Sequence, residues 1–139
     1  MTSTQNDNAP GTVPSASPQE PLQGRRVLVV EDGWQLADTL RMLLERMGAV
    51  VAGPVATASE AEALARQCRP DVAVVDVNLN GQMAYGLMDW LHRGGTPVVV
   101  ITGYEELPAA LAGYAAILHK PFTAAALLEA LQAATAGAP

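Results

Sequence analysis

A chain of 139 residues, half of them hydrophobic and 16% charged, is long and apolar enough to build one domain with a core, which excludes an intrinsically disordered protein. Its net charge of -6 leaves no basic stripe for nucleic acid. Cys68 is the only cysteine, so no internal disulfide forms, and a reducing compartment, the cytoplasm, is expected. No apolar run approaches the ~20 residues of a membrane-crossing helix, so no membrane insertion is expected.

Residues 1–24 are rich in Pro, Ser, Thr and Asn and lack a signal-peptide core. They read as a disordered tail, with the folded unit at 25–134 and a frayed end at 135–139. "RVLVV" (Arg26–Val30) is a β-branched run that ends abruptly in Glu31 and Asp32. Leu36, Leu40, Leu43, Leu44 and Met47 then fall at helical spacing, and Gly48 supplies the stop. "AVVAGPV" (49–55) is a second strand, and Pro54 places it at a strand end or sheet edge. "ASEAEALARQC" (58–68) is a helix with Ser59 as its candidate N-cap. "DVAVVD" (71–76) is an apolar strand ending in Asp76. "AYGLMDWLHRGG" (84–95) is a third helix, closed by Gly94 and Gly95. "PVVVIT" (97–102) and "AAILH" (115–119) are further strands, ending at Thr102 and just before Lys120. "TAAALLEALQAA" (123–134) is the last helix, with Thr123 as cap. Residues 103–115, with Pro108, leave room for only one or two helical turns.

Strands and helices alternate, and the strands are continuous apolar runs. That pattern predicts a parallel sheet buried on both faces, an α/β sandwich. In such a sheet the carboxyl ends of the strands share one edge, where ligands bind. Glu31, Asp32, Asp76, Thr102 and Lys120 all fall there. Three carboxylates in one crevice repel one another unless a cation neutralises them. Mg²⁺ suits the role, since it takes oxygen ligands and keeps several waters. An Asp beside it can form an aspartyl-phosphate. Lys120 is the only lysine, in a chain whose seven other basic residues are arginines. A compact ammonium suits a single oxygen better than a planar fork does. With Mg²⁺ on one phosphoryl oxygen, Lys120 and the Thr102 hydroxyl could hold the other two.

"VLVVED", "VAVVDVNLNG", "VVVITG" and "LHKPF" resemble, in order, the four signature segments of response-regulator receiver domains, over about residues 26–131. The wording is similar to that of stand-alone, single-domain receivers of alphaproteobacterial type. The resemblance implies a flavodoxin-like (βα)5 three-layer sandwich with strand order 2-1-3-4-5. It implies Asp76 as phosphoacceptor, Glu31 and Asp32 as the metal-binding pair for Mg²⁺, and the backbone carbonyl of Asn78 as a further ligand. Thr102 and Lys120 would hold the phosphoryl group, and a sensor histidine kinase would donate it. The chain departs from the pattern at Asn80, where a Pro is common, and at Ile117, where a switch aromatic is common. Thr102 and Lys120 are also close in sequence, so the fourth helix is expected to be short or irregular. Tyr104 is a candidate substitute for the missing aromatic or a shield for the phosphoryl group.

The function expected is a single-domain response regulator, not an enzyme beyond its own phosphorylation and dephosphorylation. It would act through a downstream protein whose identity is unknown, or as a phosphate sink or relay, as a monomer or weak dimer. Few residues follow Leu131, so no output domain is expected. Two other readings compete. One is a docking domain independent of phosphorylation. The other is a haloacid-dehalogenase-type phosphohydrolase, which needs metal-binding acids after the lysine, where only Glu129 stands. Blander readings exist for single residues: Glu31 and Asp32 as an acidic turn opening a helix, Lys120 as a solvated residue before a turn. His92 and His119 read as packing residues, and Trp34 and Trp90 as surface-covering or partner-facing.

Overall fold

The computed structural model describes residues 20–103, 113–114 and 116–136. The expected tail up to residue 19, Tyr104, Pro108 and the fourth-helix segment, and the last three residues lie outside the described residues. The elements are β1 (Arg26–Val30), α1 (Trp34–Arg46), β2 (Val50–Val55), α2 (Ala58–Cys68), β3 (Val72–Asp76), β4 (Asn78–Leu79), β5 (Gln82–Met83), α3 (Tyr85–Arg93), β6 (Val98–Thr102), β7 (Ala116–His119) and α4 (Ala124–Thr135). Five strands form one parallel sheet in the order β2-β1-β3-β6-β7, and β4 and β5 form a separate antiparallel hairpin. Counting the five sheet strands alone, this is the expected flavodoxin-like order.

The sheet is buried on both faces because its side chains alternate between two cores. Val27, Val29, Val74, Val99 and Ile101 pack with Leu40 and Leu44 of α1 and Leu127 and Leu131 of α4. Leu28, Val30, Val75 and Val100 pack with Ala61 and Ala65 of α2 and Leu87, Met88 and Leu91 of α3. Every residue of β3 and β6 is buried, whereas edge strand β2 has none that is. Each fully buried Val or Leu contributes roughly 1.5–3 kcal/mol.

Two expectations about boundaries change. The packed unit begins before residue 25: Leu22 is 5% exposed and donates its N–H to the Met47 carbonyl at 2.7 Å, while the Gly24 N–H reaches the Gly48 carbonyl at 3.1 Å. An apolar side chain in a polar segment found the lip of the α1 core. At the other end α4 reaches Thr135, one residue beyond 134.

The N-cap of α2 is Thr57, not Ser59. The Thr57 hydroxyl oxygen accepts from the Glu60 N–H at 3.2 Å, and Glu60 Oε1 accepts in return from the Thr57 hydroxyl and from the Ala56 N–H, each at 3.2 Å. Ser59 lies inside the first turn, where its hydroxyl is past the unpaired donors a cap must serve. Thr57→Ala is therefore expected to lower stability by about 1 kcal/mol, and Ser59→Ala by less than about 0.5 kcal/mol, in urea unfolding.

One glycine shapes the edge that carries the site. β2 is bulged against β1 between Leu28 and Val30. Gly53 takes φ +94 there, and a Cβ would lie 2.9 Å from both the Val29 carbonyl oxygen and the Val55 nitrogen. The extra residue brings the Val55 carbonyl onto the Glu31 N–H at 2.9 Å, so the first acidic residue leaves the strand with its backbone anchored.

Candidate functional site

The apolar strands end where the polar residues begin, so parallel pairing brings four strand ends to one edge. Strand order reverses between β1 and β3, the switch point of a doubly wound sheet. Glu31 and Asp32 follow β1 and Asp76 closes β3. Oxygens of these three carboxylates lie within 4.8 Å of one another. A cleft of about 440 Å³ opens above them, its wall including Asp32, Asp76, Asn78, Asn80, Gly103 and Lys120.

Asp76 is 3% exposed and held from two sides. Lys120 Nζ donates to its Oδ2 at 2.6 Å, and the Asn78 N–H donates to its Oδ1 at 2.9 Å. Lys120 comes into reach because its N–H pairs with the Thr102 carbonyl at 2.8 Å, continuing the β6–β7 ladder past the strand end. Burial pulls the Lys120 ammonium downward, but the hydrogen bond to Asp76 and the charges of Asp76, Glu31 and Asp32 outweigh it and leave the group above its usual value. The residue is protonated throughout the neutral range.

Glu31 lies beneath the cleft, 5% exposed. Its Oε2 accepts from the Gly33 N–H at 2.9 Å. Its Oε1 is buried without a hydrogen bond and lies 3.8 Å from Lys120 Nζ. Burial first, then the adjoining Asp76 carboxylate, pushes the Glu31 carboxyl up to about 7. A buried carboxylate oxygen without a hydrogen bond, beside two further carboxylates, is a donor set that suits a hard divalent cation.

The other residues anticipated from the sequence differ in burial and surroundings. Thr102 is 0% exposed, and the cleft wall at that strand end is Gly103. Ile117 is half-buried and packs into the core on the α2 and α3 side. His92 meets Tyr114 edge-on at 5.7 Å and His119 is exposed, so neither joins the acidic cluster. Trp34 is 75% exposed and Trp90 half-buried.

Sequence reasoning missed the hairpin beside Asp76. Asn80 and Gly81 have φ +55 and +88, the conformation of a tight hairpin turn, and Asn78 Oδ1 accepts from the Gly81 N–H at 2.8 Å. The Ala84 N–H returns to the Val77 carbonyl at 2.8 Å, fastening the hairpin to the strand end. The Asn-Gly pair was the signal, but its two-residue strands are too short to read. Gly33 was missed as well: a Cβ there would lie 3.1 Å from Glu31 Oε2.

Fold and site together define a doubly wound α/β protein with an acidic, lysine-bearing pocket at its switch point. The chain belongs to the response regulator receiver domain family, whose model matches residues 27–132. Among solved structures it is similar to the signal receiver domain of a modulated diguanylate cyclase from Desulfovibrio desulfuricans G20, at 30% identity and TM-score 0.73, over 82% of this chain and 95% of that one. It is similar to a two-component response regulator of the LuxR family from Aurantimonas sp. SI85-9A1, at 28% identity and TM-score 0.73, over 83% and 87%. The response regulator PhyR from Brucella abortus shares the fold, at 24% identity and TM-score 0.74 over 84% of this chain, which spans only about half (49%) of the PhyR chain. No curated protein matches the chain. Receiver domains are phosphoacceptor modules of two-component signalling that bind Mg²⁺ at an acidic pocket, and the cluster of Glu31, Asp32 and Asp76 corresponds to such a pocket. Among the described residues no helix is long and apolar enough to cross a membrane.

Proposed function

We propose that Asp76 accepts a phosphoryl group from a phosphohistidine of a sensor histidine kinase in a Mg²⁺-dependent reaction. The observation that carries this is the setting of Asp76: a buried carboxylate at the foot of an open cleft, with one oxygen on Lys120 and the other on a backbone N–H. An Asp76 oxygen attacks phosphorus, the P–N bond breaks, and the imidazole leaves and takes up a proton. Glu31, Asp32, Asp76 and the Asn78 carbonyl would hold Mg²⁺. The bound ion supplies neutralisation of the charge that gathers on the phosphoryl oxygens. Lys120 begins on Asp76 Oδ2 and is placed to stay with the phosphoryl group. The buried Thr102 hydroxyl would take a further phosphoryl oxygen, and its adjustment would couple phosphorylation to the surface. Asp76 changes from one negative charge to nearly two. The output is an altered contact with a downstream protein or onward transfer of the phosphoryl group, in the cytoplasm.

The intact mass of the protein after incubation with acetyl phosphate tests this. One phosphoryl adduct is expected on the wild type with Mg²⁺, and none on Asp76→Asn or without the metal. No adduct from acetyl phosphate or from any candidate kinase would favour the docking reading. Steady turnover of para-nitrophenyl phosphate would favour a phosphohydrolase, although Glu129, the one acid after Lys120, lies on α4 and not in the cleft wall.

A further inference from the structure

The sheet edge opposite the acidic cleft carries a second concavity that phosphoryl chemistry does not use. The chain leaves α2 for β3 and α3 for β6 there, and the last turns of the two helices enclose a groove of about 800 Å³. Its apolar part is Ala65, Pro70 and Leu91, all buried, with half-buried Trp90. Exposed Arg69 and Arg93 line it as well, and the Arg66 guanidinium lies 5.2 Å over the Trp90 ring. Three of the chain's seven arginines therefore gather at one groove of a protein with net charge -6.

Two of these arginines have an ordinary explanation. Arg66 and Arg93 stand in last helical turns, where cations offset the carbonyl end of the helix. They also approach Glu62 at 4.0 Å and Asp89 at 2.8 Å. Arg69 stands at the same carbonyl end of α2 but has no acidic neighbour among the described residues to hold it. It follows α2 in the left-handed region at φ +49, a position that glycine or asparagine takes at less strain. Among the described residues its guanidinium forms no ion pair. The left-handed turn itself does not call for arginine.

We propose that the groove binds an acidic segment of a protein partner, with carboxylates on Arg69 and Arg93 and an aliphatic side chain against Pro70, Leu91 and Trp90. Guanidinium forks match carboxylates in pairs. A compact phosphate fits less well. The carbonyl ends of α2 and α3 converge on this edge, each with partial negative charge. They oppose a concentrated dianion more than single charges spaced along a peptide. The groove lies across the sheet from Asp76, so a partner seated in it leaves the acidic cleft open, and the inference stands apart from the phosphorylation reading.

Trp34→Phe makes Trp90 the only tryptophan, and its emission reports on the groove. The unphosphorylated protein is titrated with a short peptide alternating glutamate and leucine, with its lysine–leucine counterpart, and with inorganic pyrophosphate. Saturable change with the acidic peptide is expected. Arg69→Gly should weaken that binding about tenfold while leaving the thermal midpoint unchanged or higher, because glycine relaxes the left-handed turn. The proposal is overturned if the acidic peptide gives no saturation up to millimolar concentration, or if Arg69→Gly binds it as tightly. Equal binding of the lysine peptide or of pyrophosphate overturns it too, the first by showing apolar contact alone and the second by showing a simple anion site.

Discussion

Lys120→Met is expected to destabilise the metal-free protein at neutral pH by about 1–3 kcal/mol and to slow phosphorylation of Asp76 by well over tenfold. The two effects share one cause. Asp76 and Glu31 are 3% and 5% exposed, and Lys120 is the cation that faces both, at 2.6 and 3.8 Å. Removing one partner of a fully buried pair costs about 3–5 kcal/mol. The lysine side chain is 35% exposed, so water screens part of that and the smaller range applies. The lysine pKa is raised, so its contribution is complete below the ordinary lysine value and disappears only as pH climbs through the folded one. The deficit should therefore persist from pH 6 to 9 as far as the lysine is concerned. Mg²⁺ should return part of the stability, since it replaces one cation by another. Phosphorylation should stay slow even at saturating Mg²⁺, because the ammonium on Asp76 Oδ2 is still missing. Urea unfolding with and without Mg²⁺, beside intact mass against time with acetyl phosphate, measures both. Unchanged stability together with an undiminished rate would show that Lys120 is an ordinary surface residue.

Without metal, the wild type should lose stability as pH rises from about 5 to 8, and Mg²⁺ should remove the loss. The sign follows from Glu31, whose carboxyl is raised to about 7 in the fold. A group raised above its unfolded value supports the fold fully below that unfolded value, near 4.5 for this side chain, and the support is lost as pH rises through the folded value. Ionising Glu31 strands charge at Oε1, a buried oxygen with no hydrogen bond, beside Asp76. The loss is on the order of 3 kcal/mol across the window. Glu31→Gln should flatten the profile there, since it keeps an acceptor for the Gly33 N–H but cannot ionise. Mg²⁺ should bind the wild type more tightly with rising pH and displace up to one proton, while Glu31→Gln should bind it more weakly and with less dependence on pH. Urea midpoints at several pH values in chelator and in Mg²⁺, with calorimetry in two buffers to count protons, test this. Equal slopes for wild type and Glu31→Gln would remove Glu31 as the titrating group.

Much of the architecture was legible because it depends on short-range periodicity. Continuous apolar strands such as "VAVVD" have no solvent face to give up, so a doubly covered parallel sheet follows. Pro54 marked an edge because it lacks an N–H, and β2 is an edge strand. Thr123 caps α4, as its place before the apolar run predicts, accepting from the Ala126 N–H at 3.0 Å. The same local rule failed at α2, where the cap is Thr57 in a reciprocal pair with Glu60 and not Ser59.

What the amino-acid sequence determined by itself was that Glu31, Asp32, Asp76, Thr102 and Lys120 stand at strand ends, and hence on one edge. The chemistry of those residue types suits a metal and a phosphoryl group. Which of them touch depends on how the folded chain packs. Lys120 meets Asp76 across 44 residues of chain, Glu31 keeps one buried oxygen without a hydrogen bond, and Thr102 is fully buried. That packing also decided that Leu22 docks on α1 and that Arg66, Arg69, Trp90 and Arg93 share a groove. The reason is physical. Propensity, capping and alternation act within a few residues, whereas burial, hydrogen bonds between distant segments and the shape of a cleft exist only once the helices have closed over the sheet.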